Sequence, residues 1–473
     1  LDSDRHGPVG TLAADRPLLT SVVIAFGLTA LSVIGFSGDR AAGVMVADFA
    51  LNALVALALP AVLAAAAPTT TWPRIGFALA SAATLYVAAR TVPNLIPYDL
   101  SILSPNSASV VAAGGLTIWF LVLRPLFGDV AGLSFAAPVA AILGAYGAGA
   151  LLVLGTNAPM NVVGALSSLS LAVACIVGVG VAAEFTKQFA KGDRVHKASG
   201  DAAHLAAAPA VYAALITAGV FVAGLTPGVE QLGWTWRAVI YAGAGVTIAA
   251  ATALFITSAT LSLGSTSEKI AVVENHRRQN FRKWWRPLRQ ALPPSSAIAF
   301  VAILLIVTIV ALFEAYNEYS FAKTSLLIAC AIAAGITFVS ARTGLFVLLA
   351  LFSSMILIDW SYELAGVALP GLLAELSAIA VAAALYGQIA LAWRDARSPR
   401  RKAHEAAEVA MIDGAYRYLV SAAFAIAALL VGQTSGLWAD GVAAGIYLTT
   451  LAVFGLLISA PLMTAISAIF GRD

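Results

Sequence analysis

Apolar runs long enough to cross a bilayer alternate with short polar connections along the whole chain. A hydrocarbon core of about 30 Å requires about 20 helical residues. Fourteen stretches meet that length: 18–36, 44–66, 75–92, 108–126, 131–155, 162–186, 205–226, 237–262, 297–315, 322–341, 343–361, 371–393, 412–432 and 439–467. The weakest break lies at Ala341-Arg342-Thr343, where two runs almost touch. The pattern predicts an all-α polytopic membrane protein with about 14 transmembrane helices.

Charge supports the same path. With the N-terminus placed in the cytoplasm and each span reversing direction, 23 of the 27 Lys and Arg fall inside, and only Arg40, Arg90, Arg237 and Lys323 fall outside. Such a bias sets orientation in membrane proteins. It predicts an integral protein of a bacterial-type inner (plasma) membrane with both termini cytoplasmic. Charged residues make up 11% of the 473 residues, against about a quarter in soluble domains, and no connection is long enough to hold a soluble domain. Cys175 and Cys330 both sit inside apolar stretches, so no disulfide framework or cysteine-based metal spacing is expected. The chain opens on Leu1 rather than Met, so an earlier start is expected. The stretch Leu18–Phe36 is too long for a typical signal peptide and lacks its cleavage pattern.

The connections show a repeat. Residues 1–74 hold two additional N-terminal spans, 75–268 a first set of six, 269–296 a basic amphipathic cytoplasmic linker, and 297–473 a second set of six. In each set the fourth span runs into a basic connection of helical character, Phe185–His204 or Trp393–Arg417. The sixth opens on an interfacial Trp, Trp236 or Trp438, and continues rich in Gly and Ala. Both sets enter from the cytoplasm, which predicts two parallel six-helix repeats.

The most specific run is residues 157–235. It begins with Asn157-Ala158-Pro159-Met160-Asn161, passes through Gly178-Val179-Gly180-Val181-Ala182-Ala183-Glu184-Phe185, and closes on GLTPGVEQLGW at 224–234. The segment IPYDLSILSPNSAS at 96–109 follows the first span of its set. In this order the chain resembles the membrane core of the resistance–nodulation–division (RND) superfamily, in its lipid-exporter and Patched-like branch (MMPL and sterol-sensing-domain-like proteins), over residues 75–467. The resemblance implies a permease or lipid-handling protein built on two six-helix halves. The chain departs from that pattern in lacking the large external (porter) domains after the first helix of each half, and in carrying two extra leading spans.

It also departs at the residues that drive the family. Family transporters carry protons on carboxylates of the fourth and tenth helices, and the expected Asp-Tyr pair falls here on Ala182-Ala183. The nearest acid is Glu184, turned by about 200° around the helix. The matching pair in the second half falls on Leu385-Tyr386, where Tyr386 and Gly387 keep the pattern and the acid is gone. Proton-coupling candidates are therefore Glu184, Tyr386 and Glu375. The plainer reading of Glu184 is an interfacial acid paired with Lys187 or Lys191. Glu375 reads either as a partner for a cationic or polar group or as a residue facing the headgroups. Intramembrane acids are functional candidates by default. Asp359, Glu363 and Glu314, at span ends, read as solvated. Tyr146, Tyr241 and Tyr447 join Tyr386 at mid-span positions, where a buried hydroxyl seeks a partner.

The linker reads KIAVVENHRRQNFRKWWRPLRQALPP over 269–294. Arg277, Arg278, Arg282, Lys283, Trp284, Trp285 and Arg286 suit a helix lying in the headgroup layer. The plainer reading is a tether between halves. The Gly runs at 144/147/149, 178/180 and 243/245 read as faces for close helix approach. The five His are scattered over aqueous connections, so no metal or cofactor is expected, and no cluster of catalytic side chains within the spans suggests an enzyme. Expected partners are membrane lipids, a hydrophobic small-molecule substrate and a membrane or extracytoplasmic partner protein, with no nucleic acid. Two functions stay open: a permease that moves or binds a hydrophobic or amphipathic molecule between its repeats, and a non-transporting, sterol-sensing-like lipid-binding or scaffold subunit.

Overall fold

A computed structural model describes residues 17–60, 136–155, 159–191, 193–223, 236–263, 293–316, 321–336, 340–397, 401–434 and 436–470, with the single positions 76, 80 and 116. All regular structure among them is helical. In hydrocarbon no water is present to bond peptide groups, and a helix satisfies them within one segment. The helices are α1 (Pro17–Phe36), α2 (Arg40–Ala53), α3 (Ala136–Gly155), α4 (Met160–Phe189), α5 (Val195–Val222), α6 (Trp236–Leu263), α7 (Pro294–Tyr316), α8 (Phe321–Ile336), α9 (Ala341–Leu364), α10 (Leu372–Ala396), α11 (Ala403–Thr434) and α12 (Gly441–Ile469).

Twelve of the predicted spans coincide with these helices, while 75–92 and 108–126 lie outside the described residues, as do Arg277, Arg278, Arg282, Lys283, Trp284, Trp285 and Arg286 of the linker. Among the described residues, eight helices are long and apolar enough to cross a membrane, or nine with the bent α11. The chain is an integral membrane protein.

The helix boundaries differ from the sequence expectation for local reasons. Instead of a break at 341–343, α9 already begins at Ala341, because Ser340 caps it. The Ser340 hydroxyl accepts from the Thr343 amide at 3.3 Å, and the Thr343 hydroxyl accepts from the Ser340 amide at 3.2 Å. This reciprocal cap satisfies two amides that have no partner inside the helix. The basic connections at 185–204 and 393–417 form no separate helices. Their charges ride on the ends of α4, α5, α10 and α11, and α4 alone has 30 residues, about 45 Å at about 1.5 Å per residue, so its ends project beyond the core. Gly366, two residues past α9, has φ +64°, a left-handed turn that glycine enters without a Cβ penalty.

Packing divides the chain into two units. The first holds α1 to α4, α5 up to Val211, α6 from Ile240, and residues 423–442. At its centre the apolar stretch of α4 is wholly buried. Lipid tails are as apolar as Leu, so helices associate through close packing of small residues. A Cβ on Gly144 would lie 2.8 Å from the Ala249 Cα, one on Gly178 2.7 Å from the Ala137 Cβ, and one on Gly164 2.7 Å from the backbone of Leu437. Gly180 faces open space instead. Ser199 and Ser258 bond each other's carbonyls at 2.7 and 3.1 Å, tying α5 to α6. Trp438, expected at the interface, is 1% exposed; its ring lies beside Gly432. α2 runs on as a π-helical turn, Leu54–Ala58, just after the buried Asn52, whose amide donates to the Asp48 carbonyl at 2.9 Å. Such turns recur at functional sites, and the sequence analysis singled out neither residue.

The second unit holds Tyr212–Val222 of α5, α7 to α10, the start of α11 and α12 from Ala443. Gly219 of α5 meets Ile332 and Ile336 of α8. The Trp393 ring packs on Phe346 at 6.0 Å and carries the Arg397 guanidinium at 4.8 Å, and Arg397 also donates to the Ser340 hydroxyl at 3.0 Å. α10 is the most enclosed helix of this unit.

Candidate functional site

One face of α12 organises the polar groups of the second unit. Tyr447, Leu451, Gly455 and Ser459 recur every four residues, so they share a side of the helix. The Tyr386 hydroxyl of α10 donates to the Leu451 carbonyl at 2.6 Å and shares a bond with the Ser354 hydroxyl of α9 at 3.1 Å. Ser354 in turn bonds the Ala350 carbonyl. The Tyr386 ring rests on Gly455, where a Cβ would stand 2.1 Å from a ring carbon. Tyr418 of α11 stacks on Tyr386, 6.3 Å between centroids and 11° between planes, and donates to the Ala452 carbonyl at 2.7 Å. Two buried tyrosines thus bond successive backbone carbonyls of one helix.

Two turns along, toward the α9–α10 connection, are the carboxylates. The Tyr447 hydroxyl donates to Asp359 Oδ1 at 2.6 Å, and Tyr362 meets the Tyr447 ring edge-on at 6.1 Å. Glu375 lies within electrostatic reach of the same hydroxyl. Asp359 is 5% exposed and Glu375 6%. This corrects the expectation that Asp359 is solvated and rejects the headgroup-facing alternative for Glu375. Both sit near helix ends, yet both are buried, and Tyr447 of α12 bonds the Asp359 carboxylate. Glu363, four residues past Asp359, is exposed as expected.

A carboxylate removed from water must be paired or protonated. Asp359 has a donor at 2.6 Å in Tyr447, and the Cys330 thiol of α8 donates to the Met355 sulfur at 4.0 Å. Such a carboxylate can take up and release a proton, with the tyrosine turning its O–H toward or away from it. Ser354 and Tyr418 are members of the network that the sequence analysis missed. Their signal was the hydroxyl pair Ser353-Ser354 inside an apolar span and the four-residue stripe on α12.

Tyr386 and Glu375 both lie on α10 but about 16 Å apart along it, and Glu184 lies in the other unit. There Glu184 is 6% exposed. Its Oε1 accepts from the Gln188 amide at 3.0 Å and lies 3.7 Å from Lys187 Nζ, and Lys191 donates to Gln188 at 2.9 Å. The pairing with Lys187 follows the interfacial reading. Of the other expected tyrosines, Tyr146 packs against Phe36 at 5.6 Å and Tyr241 is half-buried.

No family model matches the chain, and no curated protein matches it in sequence. Among solved structures it is similar to SecDF, a translocon-associated membrane protein from Thermus thermophilus, with a TM-score of 0.52 at 10% identity over 76% of this chain. The chain spans 66% of that protein's length, just under two thirds. At this identity the likeness shows the fold alone, and the chain is a helical membrane protein with a SecDF-like fold.

Proposed function

We propose that the protein is a proton-coupled, RND-like permease that moves or binds a hydrophobic or amphipathic small molecule, in the manner of the lipid-exporter and Patched-like branch. In this reading it lies in the inner membrane with both termini cytoplasmic. The observation that carries the reading is Asp359, a carboxylate enclosed in a membrane bundle, bonded to Tyr447 and accompanied by Glu375. An aspartate costs roughly 3 kcal/mol at the centre of a membrane helix and less near its end, and a buried intramembrane carboxylate is a candidate proton carrier. Tyr386, Ser354 and Tyr418 continue the polar groups along the same helix.

The test uses proteoliposomes of phosphatidylethanolamine and phosphatidylglycerol, loaded with a pH-sensitive dye and given a fluorescent short-chain phosphatidylglycerol as probe. Wild type is expected to acidify the lumen under an imposed gradient in a probe-dependent way, and Asp359→Asn to abolish that flux. Unchanged flux in Asp359→Asn sinks the reading.

A second reading is a non-transporting membrane subunit. The SecDF likeness supports it, since that protein is translocon-associated. So does the short connection between α7, ending at Tyr316, and α8, starting at Phe321, where transporters of the family carry an external domain. Co-purification of a stoichiometric membrane partner, with no flux in the dye assay, would favour it.

A further inference from the structure

In the first unit, α1 and α6 both lean on α3. Leu28 of α1 packs onto Gly147 and Gly35 onto Ala150, while Ala249 and Gly245 of α6 meet Gly144 and Ala148. Over α3 the two helices leave a groove of about 590 Å³. Its α1 wall is Leu19, Val23, Gly27 and Leu31, one stripe at four-residue spacing, and Ala251 and Phe255 stand opposite on α6. The lining is almost wholly apolar, and the hydroxyl of Thr252 is turned onto its own helix, bonding the Ile248 carbonyl at 2.8 Å.

Three features identify what such a groove accepts. Its length from Leu19 to Leu31 is about 18 Å at about 1.5 Å per residue, close to half of the roughly 30 Å hydrocarbon core. That length matches a hydrocarbon chain spanning about one leaflet. The groove opens sideways among side chains turned to lipid, with Val23 61% and Phe26 76% exposed. Among the described residues no charged side chain lines it, so what it accepts is hydrocarbon. Exposed apolar side chains such as Ile303, Ile306 and Phe313 on α7 need only touch lipid. The α1–α6 groove encloses a volume.

We propose that this groove is a site for one acyl chain of a membrane phospholipid. The proposal stands on the membrane fold and is independent of the permease reading. The floor at Gly27 makes it testable, because a Cβ there meets no atom within 4 Å. A larger side chain at 27 fills the groove without displacing the protein.

The experiment places the full chain in nanodiscs of phosphatidylethanolamine and phosphatidylglycerol, the latter carrying a diazirine midway along one acyl chain. After illumination, adducts are mapped by mass spectrometry. Wild type is expected to concentrate adducts on peptides covering 17–31 and 248–255. Gly27→Leu is expected to lower them about tenfold, while Val33→Leu, exposed on α1 outside the groove, leaves them unchanged. Adducts spread evenly over α1, α6 and α7, or unmoved by Gly27→Leu, overturn the proposal. So does efficient cross-linking of Gly27→Cys to cysteines placed in 75–92 or 108–126, which would make a span of this chain the occupant. Loss of adducts in Gly27→Leu with dye flux intact keeps the groove and leaves the proton site standing.

Discussion

Gly455 lies against the ring of Tyr386 so closely that a methyl group in its place would overlap two ring carbons and the hydroxyl oxygen. That contact presses the Tyr386 hydroxyl toward the Leu451 carbonyl and the Ser354 hydroxyl. Gly455→Ala is expected to push the ring out and lose about 1–3 kcal/mol, the usual cost of overpacking. Thermal unfolding in detergent measures it. Adding Tyr386→Leu, which removes the obstructing ring, is expected to cost less than the two single changes summed; simple additivity would mean that the ring is not what Gly455 accommodates.

Asp359 and Tyr447 should be coupled. A hydrogen bond to a charged group contributes about 1.5–3 kcal/mol, although interhelical bonds in membranes average about 0.6. The 2.6 Å distance and the enclosure of both partners place this pair in the upper range. A cycle of Asp359→Asn, Tyr447→Phe and the double variant, read by chemical denaturation, is expected to give a coupling above about 1 kcal/mol. A value near zero would remove Tyr447 from the site.

Glu184 and Asp359 are expected to behave differently. Glu184 is bonded to Gln188 and lies 3.7 Å from Lys187, whose side chain is 37% exposed. Glu184→Gln should therefore leave the pH dependence of flux as it is, whereas Asp359→Asn removes it. Loss of pH dependence in Glu184→Gln would move the coupling site into the first unit.

Two glycines of α4 offer a paired test of packing. Gly164 abuts the backbone of Leu437, which cannot rotate away, while Gly180 faces open space. Gly164→Ala is expected to destabilise by more than about 1 kcal/mol. Gly180→Ala is expected to be neutral or to stabilise by up to about 1 kcal/mol through the better helix propensity of alanine. Melting temperatures of the two variants in one detergent decide it.

At the start of α9, Ser340→Ala removes the side-chain cap and the acceptor used by Arg397. The expected loss is about 1 kcal/mol. It should appear locally, as faster hydrogen exchange of the Thr343 amide.

Hydropathy revealed the path of the chain because the membrane demands apolar length, and α4, α9, α10 and α12 lie where the runs put them. It could not show which side of each helix faces inward. Lipid and protein interior are alike apolar, so a span such as α7 or α12 carries no polar stripe to mark its outer face. The position of Asp359 near the end of its run suggested water. What buries it is Tyr447, 88 residues later in the chain, and no local pattern carries that pairing. Trp438 misled for the same reason: aromatic residues at span ends favour the interface, but Gly432 and Leu437 pack its neighbourhood against α4. The glycines were more informative, since Gly144 and Gly178 mark places where another backbone comes close, although Gly180 faces open space.

The enclosure of α4 also has a consequence for biosynthesis. Its neighbours include Gly432, against Ser168, and Leu437, against Gly164, both near the end of the chain. When α4 enters the bilayer it is therefore surrounded by lipid on a side that protein later covers. The first unit cannot finish assembling until α11 has been synthesised, and a chain released before residue 423 would leave the most buried helix of the protein open to the membrane.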